Sequence, residues 1–275
     1  MKSEFNARPI HLTPVLISLL VGVFCTFIVL NSSIDLYSAV PFPEGVGSLG
    51  NGLYFVILAG VGASLMYLLL KRKNLHLIAL ITGFGLTAAT FLVSVVYLYA
   101  LMSIGNFPYE TILVIVLATL ITVIADYVVF RTNGKGSALT IILLGGSLGA
   151  FLGMTIPTLS AVLILSFLAV YDVFAVYRGA VGKMAREGLE QLRGLSVPFK
   201  DVQIGLGDLT FYSMLVSLVL LNAGPIFCVA SITGVLSGAF VAFKLLEKKG
   251  MFPGLPLSVA LGLTPLAIWL VFSMA

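Results

Sequence analysis

The stretch QIGLGDLTFYS, residues 203–213, places a carboxylic acid at the entrance of a long apolar run. Asp208 lies four residues after Ile204, and no other charged residue occurs between Ile204 and Phe243. A carboxylate at membrane depth is costly and marks a functional site by default. The first question is therefore whether this run crosses a membrane.

The composition of the whole chain indicates a membrane protein with several spans. Of its 275 residues, 60% are hydrophobic and 9% are charged, whereas soluble domains carry about 25% charged residues. Cys25 and Cys228 both lie inside apolar runs, which excludes a disulfide framework or a zinc-ligand spacing. The two histidines are far apart, so we expect no metal and no cofactor.

Nine segments are long and apolar enough to cross a bilayer, which needs about 20 mostly apolar residues. The third is longer than required, so we expect it to be tilted, or broken near Gly83 and Gly85. The predicted spans are Thr13–Leu30, Leu53–Leu70, Leu75–Met102, Thr111–Phe130, Ser137–Ile156, Pro157–Tyr177, Ile204–Asn222, Pro225–Phe243 and Leu255–Ser273. The sequence thus predicts an all-α polytopic membrane fold.

The boundary between the fifth and sixth spans is marked by Pro157 alone, and one long helix is the alternative. Residues 137–177 number 41, about twice what a bilayer needs. We therefore favour a tight hairpin at Thr155–Pro157.

The basic residues give the orientation of the chain. With nine spans, all 15 lysines and arginines fall on one side of the membrane, and the opposite loops carry only Asp35, Glu44 and Glu110. Merging the fifth and sixth spans would move the last eight basic residues to the other side. Because basic loops stay inside, we expect a cytoplasmic N-terminus and an outside C-terminus. This asymmetry accounts for the net charge of +4 without nucleic acid as a partner.

Three aspartates lie within predicted spans: Asp126, Asp172 and Asp208. Asp126 is about one turn from the inner end of its span, where it can snorkel or pair with Arg131, so a structural role is expected. Asp172 lies six residues before Arg178, about 9 Å inside at 1.5 Å per residue. By the same rise Asp208 lies about 6 Å inside.

The sixth and seventh spans run in opposite directions, so Asp172 and Asp208 reach similar depths under the same membrane face. Two close carboxylates share one proton and titrate as an acid and a base. Such a pair can activate water against an amide carbonyl without a covalent intermediate. The spacing alone leaves other functions open: a proton-coupled transporter using the same aspartates, or a non-catalytic membrane scaffold. Transporters often contain internal repeats, and no clear repeat relates the two halves of this chain.

Glycines form two groups near these acids. Gly145, Gly149 and Gly153 repeat every four residues, a pattern that lets a neighbouring helix approach closely and to which we assign no chemistry. Gly205 and Gly207 precede Asp208 directly. They can serve helix packing, or they can let an extended substrate backbone lie beside the acid.

Three short motifs occur in order: Tyr171–Asp172 in the sixth span, Gly205–Asp208 in the seventh, and Pro253–Pro256 before the ninth. This arrangement resembles the presenilin and signal peptide peptidase family of GxGD intramembrane aspartyl proteases, whose third motif is Pro-Ala-Leu. Gly254 departs from that pattern by replacing the alanine. The run GLGDLTFYSMLV is presenilin-like through Ser213, and the orientation is that of presenilin.

The resemblance implies that Asp172 and Asp208 are the catalytic pair of an intramembrane aspartyl protease that hydrolyses peptide bonds in transmembrane segments. It also implies residues that shape the site or contact the substrate: Tyr171, Gly205, Leu206, Gly207, Pro253, Gly254, Leu255 and Pro256. The substrates would be transmembrane helices in the lipid bilayer of the cell membrane.

The connection between the catalytic spans, Arg178 to Asp201, is amphiphilic and predicts a short interfacial helix. It is much shorter than the presenilin loop, so we expect no obligatory self-cleavage. The small loops resemble those of archaeal homologues and imply activity without accessory subunits. We divide the single membrane domain into 1–203, with six spans and the YD motif, and 204–275, with the GLGD and PGLP motifs.

Overall fold

The computed structural model of the chain describes residues 6–105, 110–132, 134–179 and 194–274. Within these ranges, nine helices are long and apolar enough to cross a membrane, which confirms the predicted all-α polytopic fold. The helices are α1 (Thr13–Leu30), α2 (Gly47–Lys71), α3 (Leu75–Gly105), α4 (Glu110–Arg131), α5 (Lys135–Thr155), α6 (Thr158–Tyr177), α7 (Leu206–Ala223), α8 (Pro225–Lys249) and α9 (Leu255–Met274). Two strands, β1 (Ser196–Phe199) and β2 (Val202–Gly205), precede α7.

The hairpin between α5 and α6 is confirmed. Ile156 and Pro157 both have extended backbones, with ψ of 124° and 147°. Pro157 has no N–H with which to continue α5, while its carbonyl accepts the Ala161 N–H at 2.8 Å and so starts α6. The two helices are therefore separate elements joined by a tight turn.

The structure corrects the expected break in the third span. α3 continues through Gly83 and Gly85 for 31 residues, a length of about 46 Å at 1.5 Å per residue. That exceeds the hydrocarbon core of about 30 Å. The helix therefore accommodates its length by tilting or by extending beyond the core, because glycine alone does not interrupt a helix.

The seventh span begins later than expected, since Ile204 belongs to β2 and α7 begins at Leu206. The two strands form an antiparallel hairpin in which Val197 pairs with Ile204. Side chains alternate along β2, with Val202 and Ile204 buried and Gln203 exposed. This period of two is typical of a strand with one buried face. In the sequence, the apolar run that follows makes the period hard to recognise.

The α7 helix lies at the centre of the bundle, and α5 packs directly against its backbone. A Cβ atom on Gly153 would lie 2.6 Å from the Met214 carbonyl oxygen, and one on Gly149 would overlap the Thr210 carbonyl oxygen. A Cβ on Gly145 would lie 2.9 Å from the Leu209 Cβ. The glycine repeat therefore serves the close packing that was predicted for it.

The α1 helix contacts α7 from another side through hydroxyl groups. Ser213 Oγ lies 3.1 Å from Ser18 Oγ and donates to the Ser18 carbonyl at 3.1 Å. Both serines are fully buried. Hydroxyl pairs of this kind join helices at membrane depth, where unpaired polar groups are costly, so they fix α7 between α1 and α5.

The interfacial helix predicted between the sixth and seventh spans falls mostly on residues 180–193, which lie outside the described residues. It stays a prediction. The segment from Ser196 to Gly205 forms the β-hairpin and leads directly into α7.

Candidate active site

Asp208 lies in the first turn of α7. Gly205 ends β2 with an extended backbone, φ −68° and ψ 141°, and directly precedes the helix. The Leu206 N–H, which has no partner within the helix, donates to the Leu195 carbonyl at 2.9 Å. The junction of strand and helix therefore sets the acid at the N-terminal end of the central helix, where partial positive charge favours a carboxylate.

Asp172 lies on α6, five residues before its end at Tyr177. Its Oδ2 accepts a hydrogen bond of 3.1 Å from the Leu255 backbone N–H. Leu255 is the first residue of α9, so its N–H has no acceptor within that helix. The Asp172 side chain, although it belongs to α6, therefore caps the N-terminus of α9.

Asp208 approaches the same turn from α7. A Cβ atom on Gly254 would lie 3.3 Å from Asp208 Oδ2. Gly254 directly precedes the Leu255 N–H that binds Asp172. The Gly254–Leu255 turn thus brings the two predicted catalytic acids to one place.

The proline element forms this turn, and it is irregular up to the start of α9. Residues 251–253 adopt neither helix nor strand, and Pro253 is buried while Pro256 lies in the first turn of α9. Neither proline has an N–H, so Gly254 and Leu255 supply the backbone donors of the motif. The deviation from the family pattern is also informative, because an alanine Cβ at Gly254 would closely approach Asp208 and the Tyr212 hydroxyl, 3.2 Å away.

The residues before Asp208 differ in their surroundings. Gly207 is exposed, and a Cβ there would meet only the Phe211 ring, at 3.8 Å. A Cβ on Gly205 would lie 3.5 Å from Asp208 Oδ2. Leu206 instead turns toward α5, where its Cδ1 lies 3.3 Å from the position of a Gly145 Cβ. Space therefore remains beside Gly207, whereas Gly205 faces the carboxylate of Asp208 and Leu206 contributes packing.

Tyr171 is adjacent to Asp172 in sequence and faces another neighbour. Its ring and hydroxyl lie 3.7 Å from the position that a Gly60 Cβ would take on α2. Successive residues on a helix point about 100° apart. Tyr171 therefore lines the contact between α6 and α2 next to the acid pair.

Sequence reasoning did not assign Tyr212 to the site. Its hydroxyl donates to the Gly254 carbonyl at 2.9 Å. The signal was present in the sequence, because a residue four positions after Asp208 lies on the same helix face.

A small cleft beside Asp208 was also not foreseen. It has a volume of about 70 Å³ and is lined by residues of α1, β2, α7, α8 and the turn before α9, among them Gln203, Asp208, Phe243, Leu246, Phe252 and Gly254. Its lining combines apolar side chains with the polar residues Gln203, Asp208 and Tyr212. An apolar side chain bound next to the acid would fit such a cleft.

Asp126 is separate from these groups. Its Oδ2 accepts a hydrogen bond of 2.7 Å from Thr87 Oγ1 on α3. Of the two alternatives predicted for Asp126, snorkelling or pairing with Arg131, neither included this hydroxyl partner on a neighbouring helix. This contact agrees with the structural role predicted for Asp126.

Two solved structures of a presenilin family intramembrane aspartate protease, in space groups C222 and P2, share this fold. The first is 18% identical, with a TM-score of 0.65, and the match covers 95% of this chain and 98% of that one. The second is 17% identical, with a TM-score of 0.61 and coverage of 96% of both chains. No protein-family model and no curated protein matches the chain. The likeness confirms the predicted presenilin-like fold over nearly the whole chain.

Proposed function

We propose that this protein is an intramembrane aspartyl protease that uses Asp172 and Asp208 to hydrolyse peptide bonds within transmembrane segments. The observation that carries the proposal is the convergence of both carboxylates on the Gly254–Leu255 turn from different helices. Two solved structures with this fold are described as presenilin family intramembrane aspartate proteases. The fold and the acid pair support the same function independently.

The chemistry follows from two acids that share one proton. The ionised carboxylate accepts a proton from water as the water oxygen attacks the peptide carbonyl carbon. The protonated acid donates its proton to the carbonyl oxygen, which gives a neutral tetrahedral diol. The acid that took the water proton then gives it to the amide nitrogen as the C–N bond breaks. The other carboxylate takes a proton from a diol hydroxyl, whose oxygen stays in the new carboxyl group, so the dyad again holds one proton. No covalent intermediate with the protein forms.

The substrate is a membrane-spanning helix that unwinds locally at the site. The β2 strand pairs with β1 on one edge, and no second partner strand occurs among the described residues. An extended peptide can add to such an edge through backbone hydrogen bonds. The open space at Gly207 lies at the end of this strand, directly before Asp208. Irregular backbone at this depth is tolerated because protein surrounds it.

The protein acts in the cell membrane with its N-terminus and the acid pair near the cytoplasmic side, and it needs neither a cofactor nor accessory subunits. The two segments 1–203 and 204–275 each supply one catalytic aspartate within a single membrane domain. Water reaches the acids from the cytoplasmic side.

A cleavage assay with purified protein tests the function. A model transmembrane peptide is incubated with the protein in detergent, and the products are identified by mass spectrometry. We expect internal cleavage by the native chain and by Asp126→Asn, and none by Asp172→Asn or Asp208→Asn. The matched control is informative because Asp126 is also an intramembrane aspartate with a hydrogen-bond partner. An intact peptide, together with proton-linked uptake in liposomes that requires Asp172 and Asp208, would instead establish the transporter.

A further inference from the structure

Tyr212 makes a contact that no motif assigns. It lies four residues after Asp208 on α7, its side chain is only 3% exposed, and its hydroxyl donates to the Gly254 carbonyl at 2.9 Å. A residue on the helix of one catalytic acid therefore binds the backbone of the turn that meets both acids.

The turn is held on two sides. The Gly254 carbonyl is bound by Tyr212 from α7, and the Leu255 N–H is bound by Asp172 from α6. These two groups belong to the same peptide unit, which links residues 254 and 255. A single peptide unit is thus hydrogen-bonded to both helices that carry the two aspartates.

From this geometry we propose that Tyr212 is a positioning residue, whose hydroxyl fixes the Gly254–Leu255 peptide and through it the carboxylate of Asp172 relative to Asp208. The inference rests on the proposed function. Without the hydroxyl, the peptide unit loses its hydrogen bond from α7 and keeps those with Ser258 and Asp172, so the donor that orients Asp172 is held less tightly relative to Asp208. Small displacements of reacting groups are costly, because an error of about 1 Å can lower a rate about 100-fold.

The contact also permits a clean test, because the Gly254 carbonyl has a second donor. Ser258 Oγ donates to the same oxygen at 3.2 Å from within α9. Replacing Tyr212 with phenylalanine therefore leaves no buried carbonyl without a partner, and the ring still fills its buried position. We expect Tyr212→Phe to fold with a Tm within about 3 °C of the native value, the scale of a small change in stability for a chain of this size.

Tyr97 offers a matched control on α3. It is similarly buried, at 8% exposed, and its hydroxyl donates to the Ser147 carbonyl at 2.7 Å. Tyr97→Phe removes the same kind of tyrosine-to-carbonyl hydrogen bond at a place that contacts neither aspartate.

Two measurements on each variant decide the inference. In the peptide cleavage assay, Tyr212→Phe should lower kcat by about 10- to 100-fold and leave KM within about twofold, while Tyr97→Phe should keep both near native. In hydrogen–deuterium exchange, the amides in a peptide covering residues 251–258 should exchange about 3- to 10-fold faster in Tyr212→Phe, the factor that one hydrogen bond represents. The same amides should be unchanged in Tyr97→Phe.

The outcomes distinguish the positioning role of Tyr212 from the proposed protease function. Native exchange at residues 251–258 in Tyr212→Phe would overturn the positioning role, as would a native kcat, a change in KM alone, or a loss of kcat that Tyr97→Phe shares. Unfolding of Tyr212→Phe would also contradict it, because the retained Ser258 contact predicts a folded variant. If the native chain cleaves no peptide, the proposed function fails, and the exchange measurement still decides whether Tyr212 holds the turn.

Discussion

Asp172 on α6 and Leu255 at the start of α9 are joined by a backbone-to-carboxylate hydrogen bond of 3.1 Å. The bond connects the sixth and ninth spans, although 83 residues separate the two partners. It places the carboxylate at the turn beside which Asp208 also lies, since a Cβ atom on Gly254 would be 3.3 Å from Asp208 Oδ2. The α9 helix therefore takes part in the site through its first backbone amide, which has no acceptor within the helix, rather than through a side chain.

The open space at Gly207 predicts a substitution that separates activity from folding. Gly207→Val should abolish cleavage, because its side chain would occupy the path of an extended substrate, yet meet little of the protein itself. Thermal unfolding should give a Tm close to native. Gly149→Val is the contrasting control, since its side chain would overlap the backbone of α7 and should lower the Tm strongly. Full activity in Gly207→Val would refute the close approach of substrate.

The proline element, Pro253–Pro256, predicts a second variant in which turnover falls more than stability. The double variant Pro253→Ala with Pro256→Ala should lower turnover by about 10-fold or more, since restored N–H groups let α9 extend backward and displace the turn. Pro265→Ala is the control, because Pro265 lies inside α9 away from its first turn. Initial rates at saturating peptide and melting curves measure the two effects. Cleavage by the double variant at the native rate would show that the prolines only mark the start of α9 and do not position the turn for catalysis.

Asn51 should govern stability without affecting chemistry. Its side chain is fully buried, accepts the Phe42 N–H at 3.0 Å and donates to the Phe42 carbonyl and to Ser160 Oγ. Asn51→Ala removes the partner of the Phe42 N–H and carbonyl, while Ser160 keeps its bond to Ser48 Oγ; an unsatisfied buried group costs about 1–3 kcal/mol. The Tm should fall, while kcat per folded molecule stays within about twofold of native. A variant that is as stable as the native chain would show that this network contributes nothing.

The orientation is testable by cysteine labelling in intact cells. Cys25 and Cys228 are both buried, so the native background should be low. A membrane-impermeant maleimide should label Asp35→Cys from outside and should label Lys200→Cys only after permeabilisation. The reverse pattern would invert the orientation that the lysines and arginines predict.

Hydropathy predicted the spans closely, because the bilayer dictates a length of about 20 apolar residues and leaves few alternatives. The first span was placed at Thr13–Leu30, as found. The β-hairpin was missed because Val202 and Ile204 continue without a visible break into the apolar run of α7. A strand of four residues shows too few alternations of apolar and polar residues to be recognised beside such a run.

The opposite directions of α6 and α7 predicted that both acids reach similar depths under one membrane face, and the structure brings both acids to one turn. The contribution of Tyr212 was not predicted, since its partner is a backbone carbonyl 42 residues away. The spacing of four residues places Tyr212 on the same helix face as Asp208, but backbone groups are the same at every position, so the sequence does not show which carbonyl it binds. The hydroxyl partner of Asp126 escaped prediction for a related reason, because threonines are common in apolar helices and Thr87 lies on another span.

The central claim is that Asp172 and Asp208 act as one catalytic unit, and the relative rates of three variants test it most directly. Cleavage of a single transmembrane peptide is measured by mass spectrometry for Asp172→Asn, Asp208→Asn and the double variant, each confirmed as folded. Because groups that act as a unit are not additive, each single variant should lose at least about 1,000-fold in rate, and the double variant should lose no more. Native-like cleavage by either single variant, or losses that multiply in the double variant, would contradict the account.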